Sequence, residues 1–255
     1  MSRFDEHRAF MKSQFGQWEE DIRSDQESGV PQPPMEEPYP EGAKTIGLPS
    51  VESLDLRKPE IRRCFKDRRS RRAYADTPFS LDQLGYLLWS SIGVDRVIPA
   101  YRRTGYATLR TVPSAGARHA FETYLAINNV DSLDPGVYRY LAMNHTLLQY
   151  AKPHKMKEKL VDLALGQGFV GAAPAVFFWV CIPYRGEWRY HHEAHKVMLL
   201  DVGHICQNLY LAAESIECGT CAIAAYDQNK ADDFLGLDGK DAFVVYLAPL
   251  GKMTK

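Results

Sequence analysis

The chain has 255 residues, 45% hydrophobic and 25% charged, which is the composition of an ordinary soluble globular protein. Its 31 Lys and Arg residues nearly balance 32 Asp and Glu residues, so the net charge of -1 creates no overall field for nucleic acid or an anionic membrane. No apolar run approaches the roughly 20 residues that span a bilayer, and five cysteines in a chain this long do not suggest a disulfide framework. We expect a cytoplasmic protein with no nucleic-acid partner and no membrane segment.

The first 54 residues are predicted to form an extension that precedes a single domain over residues 55–255. Residues 1–25 are polar with scattered aromatic side chains, a pattern compatible with one or two amphipathic helical turns. Residues 29–49 contain repeated prolines, which remove backbone donors and favour an extended, polyproline-like chain. Two alternatives stay open for this segment: a strap that lies over the surface of the body, or a disordered linker.

Residues 78–88 predict a helix that begins with a capping box. Ser80 is placed to accept a hydrogen bond from the backbone of Gln83, whose side chain can reach back to Ser80. The residues expected on the buried face are all leucines: Leu81, Leu84, Leu87 and Leu88. The next stretch, residues 93–112, is basic and is expected to form a loop that ends at the turn around Pro113.

Apolar runs predict strands over 121–127, 137–140, 175–182 and 243–247, and the turn at 134–136 joins the first two as a hairpin. The third run is apolar without alternation, which is typical of a strand covered on both faces. Helical spacing predicts one helix over 155–165, ended by Gly166, and a longer one over 198–216. We therefore expect an α+β fold, in which a central, mostly antiparallel β-sheet is flanked by helices on both faces.

A basic cluster precedes the first predicted helix, where seven of the eleven residues from Arg62 to Arg72 are Lys or Arg. A guanidinium can offer a phosphate a forked pair of charge-assisted hydrogen bonds, and Ser70, between two pairs of arginines, adds a hydroxyl. The cluster therefore indicates a phosphate site. A solvated basic face and a nucleic-acid patch are the alternatives.

Residues 113–118, with the sequence Pro-Ser-Ala-Gly-Ala-Arg, predict a turn of small residues. Pro113 fixes one backbone angle, and the small side chains leave the neighbouring amides uncovered, so that a flat ligand can approach them. An anion clamp together with such an open backbone suggests a phosphorylated, planar cofactor.

Two further motifs have competing interpretations. Cys218 and Cys221 form a CxxC pair, which could be a thioredoxin-like dithiol, half a zinc site, or two buried cysteines beside a glycine turn. His191 and His195 would share a helical face, but the spacing of an HExxH metal motif is absent. We predict no metal site, and we expect these histidines near the mouth of a pocket.

Taken in order, these stretches are similar to the FMN-dependent nitroreductase superfamily. The matching features are Arg-x-Ser-x-Arg at 68–72, Pro-Ser-Ala-Gly-Ala at 113–117, and a long helix that leads into Gly-Thr-Cys-Ala-Ile-Ala-Ala-Tyr-Asp at 219–227. The branch that the chain resembles most is that of the SagB-type dehydrogenases, whose members oxidise thiazoline and oxazoline rings in modified ribosomal peptides. The resemblance extends from around residue 55 to the last residue.

The resemblance implies that FMN binds at the interface of a homodimer. The first motif would hold the phosphate and ribityl chain, the second would line the cofactor bound to the other subunit, and the late turn would approach the flavin ring. The residues implied to contact the cofactor are Arg68, Ser70, Arg72, Pro113, Ser114, Ala115, Gly116, Ala117, Gly219, Thr220, Ala224, Ala225 and Lys252.

Two departures from the family pattern concern the chemistry and the end of the long helix. Arg189 and Tyr190 stand where the azoline-oxidising members carry Lys-Tyr, and Glu217-Cys218 replaces the usual Gly-Leu. Arginine stays protonated at neutral pH and is a poor general base, whereas Tyr190 can donate or accept a proton. Arg189 and Tyr190 are the candidate catalytic residues.

The activity implied is oxidoreduction by a ping-pong mechanism. Hydride would pass from NAD(P)H to the flavin N5 and then to a small-molecule or peptide-derived acceptor. Two alternatives stay open: dehydrogenation of an azoline ring in a modified peptide, and a flavin-binding protein without turnover.

Overall fold

The centre of the molecule is an antiparallel β-sheet, seen in a computed structural model that describes residues 10, 12–13, 23–54, 56, 60–99 and 105–254. Within these residues the sheet has seven strands in the order β1-β6-β5-β4-β7-β9-β8, and every neighbouring pair is antiparallel. Its strands are β1 (Thr45–Gly47), β4 (Phe121–Ile127), β5 (Gly136–Leu141), β6 (Thr146–Ala151), β7 (Ala175–Cys181), β8 (Cys218–Thr220) and β9 (Phe243–Lys252).

Helices cover both faces of this sheet, as expected. They are α1 (Ile61–Asp67), α2 (Leu81–Ile92), α3 (Met156–Leu163), α4 (Gly168–Ala172), α5 (Tyr184–Tyr190), α6 (Ala194–Ser215) and α7 (Gln228–Leu235). One apolar core joins α2 and α6 to the face of β7 that carries Phe177 and Trp179. The other joins α3 and α7 to the opposite face, which carries Val176 and Phe178. The α+β prediction is therefore confirmed. In the part of the chain that the structure describes, no helix is both long and apolar enough to cross a membrane.

Several local predictions are confirmed. The capping box of α2 is present, because Ser80 Oγ accepts from the Gln83 amide and the Gln83 side chain accepts from the Ser80 amide. The strands β4, β5 and β7 and the helices α3 and α6 lie where the apolar patterns placed them.

Other elements differ from the sequence-based expectation. Residues 93–112, expected to be a loop, contain a two-stranded hairpin of β2 (Val94–Ile98) and β3 (Ala107–Arg110). The last strand continues through Pro249 to Lys252. The expected helical turns of residues 1–25 lie largely outside the described residues, and so does Asp55, at which the predicted domain begins. The boundary between extension and domain stays a prediction.

The proline-rich segment lies on the body as a strap, defined here as residues 24–40. The Trp188 indole donates to the carbonyl of Val30 at 2.8 Å, and the Gln26 amide donates to the carbonyl of Trp188 at 2.9 Å. Met35 is 1% exposed, and its amide donates to the Tyr106 hydroxyl at 3.0 Å. Residues 24–40 therefore lie on the body as a strap, whereas residues 45–47 of the proline-rich segment form strand β1 of the sheet.

A buried ion cluster ties the strap to the sheet. Arg185 is fully buried, and its Nη2 donates to Glu122 Oε1 on β4 at 2.6 Å and to Glu37 Oε1 on the strap at 2.9 Å. The Glu37 amide donates in turn to Glu122 Oε1 at 2.9 Å. Because one guanidinium serves two carboxylates, the strap and the sheet are linked through a charge that has no access to water.

Replacing Arg185 tests this link. Arg185→Met is expected to lower the free energy of unfolding by about 3–5 kcal/mol, because Glu122 would remain buried without its counter-charge. The matched control is Lys152→Met, which breaks an ion pair of 2.8 Å between two exposed side chains and is expected to change stability little. Denaturant unfolding of both variants measures the difference, and equal losses would contradict a role for the cluster in stability.

Candidate functional site

The loop after α1, residues 68–72 (the arginine loop), is hydrogen-bonded to the outer edge of the sheet. The Arg71 amide donates to the Thr220 carbonyl on β8 at 2.9 Å, and Ser70 forms a parallel bridge with Thr220. A few residues later, the Ala75 amide donates to the carbonyl of Lys252 at 2.9 Å. The structure therefore places the first predicted motif beside Gly219, Thr220 and Lys252.

Two glycines make this close approach possible. A Cβ atom at Gly219 would lie 2.7 Å from Cδ of Arg71, and one at Gly251 would lie 2.5 Å from Cβ of Tyr74. The Tyr74 hydroxyl also lies 2.9 Å from the Arg71 carbonyl and 3.1 Å from the Pro249 carbonyl. Gly219 was predicted to approach the flavin. In this chain a larger residue at position 219 would overlap the Arg71 side chain.

Three groups of the arginine loop are available to an anion. The Arg68 guanidinium lies 5.3 Å from the centre of the Tyr210 ring, the Arg72 guanidinium lies 5.9 Å from the centre of the Phe169 ring, and Ser70 is exposed. Among the described residues, neither Arg68 nor Arg72 forms an ion pair with a carboxylate. Their positive charge is therefore not neutralised by this part of the chain.

The chain after β8, residues 221–225 (the late turn), borders the arginine loop. The Ala222 amide donates to the Tyr210 hydroxyl at 2.8 Å, and the Ile223 amide donates to the Leu247 carbonyl at 2.8 Å. Ala224 and Ala225 are exposed, and within the described residues their amides have no hydrogen-bond acceptor. Thr220 contributes only its backbone, because its hydroxyl is buried and donates to the Pro249 carbonyl at 2.9 Å.

The second predicted motif, residues 113–117 (the proline turn), packs near the start of α6. Ser114 Oγ donates to Asp201 Oδ2 at 2.6 Å, and the Ala115 amide lies 3.2 Å from both oxygens of that carboxylate. Gly116 has a φ of +58°, and a Cβ there would lie 2.5 Å from the Tyr190 hydroxyl and 2.8 Å from Arg189 Nε. The candidate catalytic residues therefore lie directly against the proline turn.

Burial shapes the electrostatics of this region. Burial raises the pKa of Asp201, while the hydrogen bonds from Ser114 and Ala115 oppose the shift. Burial lowers the pKa of Arg118 to about 10, and the nearby charge of Arg189 acts in the same direction. The Arg118 guanidinium lies 4.7 Å from the centre of the Trp188 ring. The proline turn is thus bordered by positive charge in a poorly solvated environment.

The two groups of residues do not meet within one chain. Asp201 anchors the proline turn and Tyr210 contacts the arginine loop, and both belong to α6. Nine residues at about 1.5 Å and about 100° each separate them by roughly 13 Å along the axis and by half a revolution around it. They therefore flank opposite sides of the exposed stripe of α6, which includes Leu199, Leu200, Gly203 and Gln207.

The remaining motifs do not form a site of their own. All five cysteines are buried and outside any disulfide, and burial raises the pKa of Cys218 to about 12 and raises that of Cys221. Both thiols are therefore protonated at neutral pH, which disfavours a reactive dithiol. His195 Nε2 lies 2.8 Å from Glu187 Oε1. Across the described ranges, no group of three His, Cys, Asp or Glu side chains is arranged to hold a metal ion.

Tyr210 is the contact residue that sequence reasoning missed. Apolar spacing assigns it to the flank of α6, away from the core stripe, without indicating what it touches. Its hydroxyl lies 3.0 Å from Ser70 Oγ, a residue 140 positions earlier in the chain. A tyrosine at the edge of an amphipathic stripe is a weak signal, because only the fold shows which loop it meets.

An antiparallel sheet covered by helices on both faces is the arrangement of the nitroreductase-like fold. The sequence model of the Nitroreductase family matches residues 65–252, and the chain therefore belongs to that family. Membership supports a general function as a flavin-dependent oxidoreductase.

Three individual similarities accompany the family match. A Methanocaldococcus jannaschii protein whose name assigns it to the nitroreductases is 29% identical over 207 residues, which are 81% of this chain and 96% of that protein. The trifolitoxin-processing protein TfxB of Rhizobium leguminosarum bv. trifolii is 27% identical over 176 residues, 66% of this chain but only 47% of TfxB. The Escherichia coli microcin synthetase McbBCD complex, solved with truncated pro-MccB17, contains a chain with a TM-score of 0.60 and 17% identity, covering 98% of this chain and 91% of that one.

Gly219→Ala tests the close approach of the arginine loop to β8. The added methyl would overlap the Arg71 side chain, so we expect a loss of about 1–3 kcal/mol in the free energy of unfolding. We also expect faster hydrogen exchange of the Arg71 amide, which bonds to Thr220. Gly47→Ala is the matched control, because a Cβ there would meet no atom within 4 Å. Unchanged exchange at Arg71 in Gly219→Ala would contradict this account.

Proposed function

We propose that this protein is an FMN-dependent oxidoreductase that works as a homodimer and transfers hydride from NAD(P)H to an organic acceptor by a ping-pong mechanism. The observation that carries the proposal is the convergence of the arginine loop, the edge of β8 and the late turn. This convergence places two arginines without carboxylate partners in the described structure beside exposed backbone amides. A phosphorylated ligand with a flat ring system suits both features.

The residues of the two groups fit the cofactor by their chemistry. Arg68 and Arg72 would neutralise a phosphate, and Ser70 would donate a hydrogen bond to it. The exposed amides of Ala224 and Ala225 could donate to polar atoms of the ring, and Lys252 would add a further cation near the arginine loop. Bound FMN would supply the two-electron hydride chemistry, while the chain supplies binding, orientation and electrostatics.

Arg189 and Tyr190 are proposed to act on the second substrate. Both lie against Gly116, where an added Cβ would overlap them, so the absence of a side chain at Gly116 lets these two groups approach the backbone of the proline turn. The guanidinium of Arg189 would orient an electron-rich group through its forked hydrogen-bond donors. Tyr190 would hold or move a proton at its hydroxyl, because a phenol can act as donor or acceptor.

The separation of the two groups along α6 supports a homodimer. A two-fold axis near the exposed stripe would place the arginine loop of one subunit opposite the proline turn of the other. Leu199 and Leu200 on that stripe are 47% and 56% exposed, and Ile61 and Phe65 on the adjacent α1 are 58% and 59% exposed. A second copy of this chain would cover these apolar side chains and complete the site.

A second candidate function is oxidation of an azoline ring in a modified peptide. The similarity to TfxB, named as a trifolitoxin-processing protein, favours a peptide-derived substrate. The position of the Tyr190 hydroxyl against the proline turn fits a residue that removes or returns a proton. Arg189, in place of the lysine of the azoline-oxidising branch, favours reduction of an external acceptor.

An anaerobic spectral titration distinguishes these functions. The purified protein is expected to bind FMN, and NADH or NADPH is expected to bleach the flavin absorbance. Bleaching by a thiazoline- or oxazoline-containing peptide, with no response to either nucleotide, would support the dehydrogenase instead. Bound FMN that none of these reductants bleaches would identify a flavin-binding protein without turnover. A protein that stays colourless when offered FMN would contradict all three.

Substituting the arginines of the loop tests the phosphate assignment. Arg68→Met is expected to raise the dissociation constant for FMN by about 10- to 100-fold, the magnitude of one charge-assisted hydrogen bond. The matched control is Arg69→Met, because Arg69 Nη1 donates to the carbonyls of Lys66 and Arg68 at 2.9 and 2.7 Å and so turns back on its own loop. Flavin fluorescence quenching at fixed ionic strength measures both variants. Equal weakening would show only a loss of net charge.

A further inference from the structure

Tyr210 links three parts of the anion site through one side chain. Its hydroxyl lies 3.0 Å from Ser70 Oγ in the arginine loop and accepts a hydrogen bond of 2.8 Å from the Ala222 amide in the late turn. Its ring lies beneath the Arg68 guanidinium, 5.3 Å from it. No other described side chain contacts Ser70, Ala222 and Arg68 together.

The hydrogen-bond donors and acceptors fix the direction of this chain of contacts. An amide N–H can only donate, so the Tyr210 oxygen must accept from Ala222. Its single hydrogen can then be donated to Ser70 Oγ, which satisfies both phenol functions. In the reverse assignment, Ser70 would donate to Tyr210, and the phenol hydrogen would be left without a described acceptor. Each assignment leaves one hydroxyl hydrogen without a described oxygen acceptor, and the first is favoured because that hydrogen then belongs to the exposed Ser70 rather than to the half-buried Tyr210.

When Ser70 Oγ accepts a hydrogen bond from Tyr210, the hydrogen of the Ser70 hydroxyl can be donated to a different acceptor. Ser70 is exposed and lies between Arg68 and Arg72 in the loop. The nearby Cys221 thiol can also contact the Ser70 hydroxyl, but burial raises the pKa of Cys221, and a neutral thiol is a weak acceptor. An oxyanion bound by the two arginines would be the stronger acceptor.

We propose that Tyr210 is a positioning residue that presents the Ser70 hydroxyl as a donor to the phosphate group of the cofactor, and so makes the site select FMN over riboflavin. The proposal rests on the proposed flavin function and deepens it. The hydrogen bond that the same hydroxyl accepts from the Ala222 amide holds the phenol in the orientation that donates to Ser70.

Tyr210→Phe removes the hydroxyl and keeps the ring under Arg68. We expect the dissociation constant for FMN to rise by about 3- to 10-fold, the magnitude of one net hydrogen bond, and that for riboflavin to change less than about 2-fold. The matched control is Tyr86→Phe, which removes a similar half-buried hydroxyl that lies 3.0 Å from Ser215 Oγ. This control is expected to leave both dissociation constants unchanged.

A double-mutant cycle tests whether Tyr210 acts through Ser70. Ser70→Ala should weaken FMN binding, and adding Tyr210→Phe to it should weaken binding no further, because the oriented group is already absent. Additive losses, equal losses for FMN and riboflavin, or an unchanged FMN affinity in Tyr210→Phe would each overturn the proposal and leave a structural role.

A measurement without flavin separates this inference from the proposed function. Inorganic phosphate is titrated into flavin-free protein while the backbone amide resonances of Ser70 and Arg71 are followed by NMR. We expect shifts at lower phosphate concentration in the wild type and Tyr86→Phe than in Tyr210→Phe. If the wild type fails to bind FMN but shows this pattern, the proposed function fails and the role of Tyr210 in anion binding stands. Identical phosphate titrations for all three proteins would overturn that role.

Discussion

The candidate site depends on the hydrogen bond from the Arg71 amide to the Thr220 carbonyl. It fixes a loop that precedes all strands of the central sheet except β1 in sequence to the edge strand β8, near the other end of the chain. Because this hydrogen bond joins backbone atoms, it does not involve the side chains of Arg68, Ser70 and Arg72. Those side chains can then be directed at a ligand, while the loop that carries them is held as rigidly as a strand.

Helix α6 lies between the two groups of candidate site residues, the proline turn and the arginine loop. Its buried stripe packs against the sheet, and the two flanks of that stripe contact different loops: the proline turn through Asp201 and the arginine loop through Tyr210. Because the flanks point in opposite directions, the two loops lie apart within one chain. In the proposed homodimer, the exposed stripe between them, with its two leucines, would link the chemistry of the site to the association of subunits.

Much of this fold follows from local patterns in the sequence. The capping box at Ser80 and Gln83 is a local hydrogen-bonding pattern between residues three positions apart. The apolar run of β7 and the helical stripe of α6 reflect burial, which residue spacing encodes directly. The hairpin within residues 93–112 was missed because its strands are short: β2 is largely exposed, and the two buried residues of β3 are adjacent, so neither strand shows apolar alternation. The strap was ambiguous because its contacts are with residues far along the chain, such as Trp188 and Glu122.

Site residues that belong to a specific sequence motif could be predicted, and those without a motif could not. Residue types alone indicated an anion-binding arginine loop, but they could not show that Gly219 accommodates Arg71 or that the Thr220 hydroxyl turns inward to Pro249. Tyr210 lacked a motif altogether. Contacts of this kind depend on register between distant segments, which a single sequence does not contain.

The junction between α6 and β8 also restricts how the chain can vary. Glu217 has a φ of +58°, a left-handed conformation that costs a non-glycine residue roughly 1 kcal/mol, and its carbonyl accepts from the Met253 amide at 3.1 Å. Side chains alternate between faces along β8, so inserting or deleting one residue at this junction would exchange the faces of Cys218 and Gly219. The gap that receives Arg71 would then be filled by a thiol. The length of this short connection is therefore constrained by the register of β8 as well as by the conformation of Glu217.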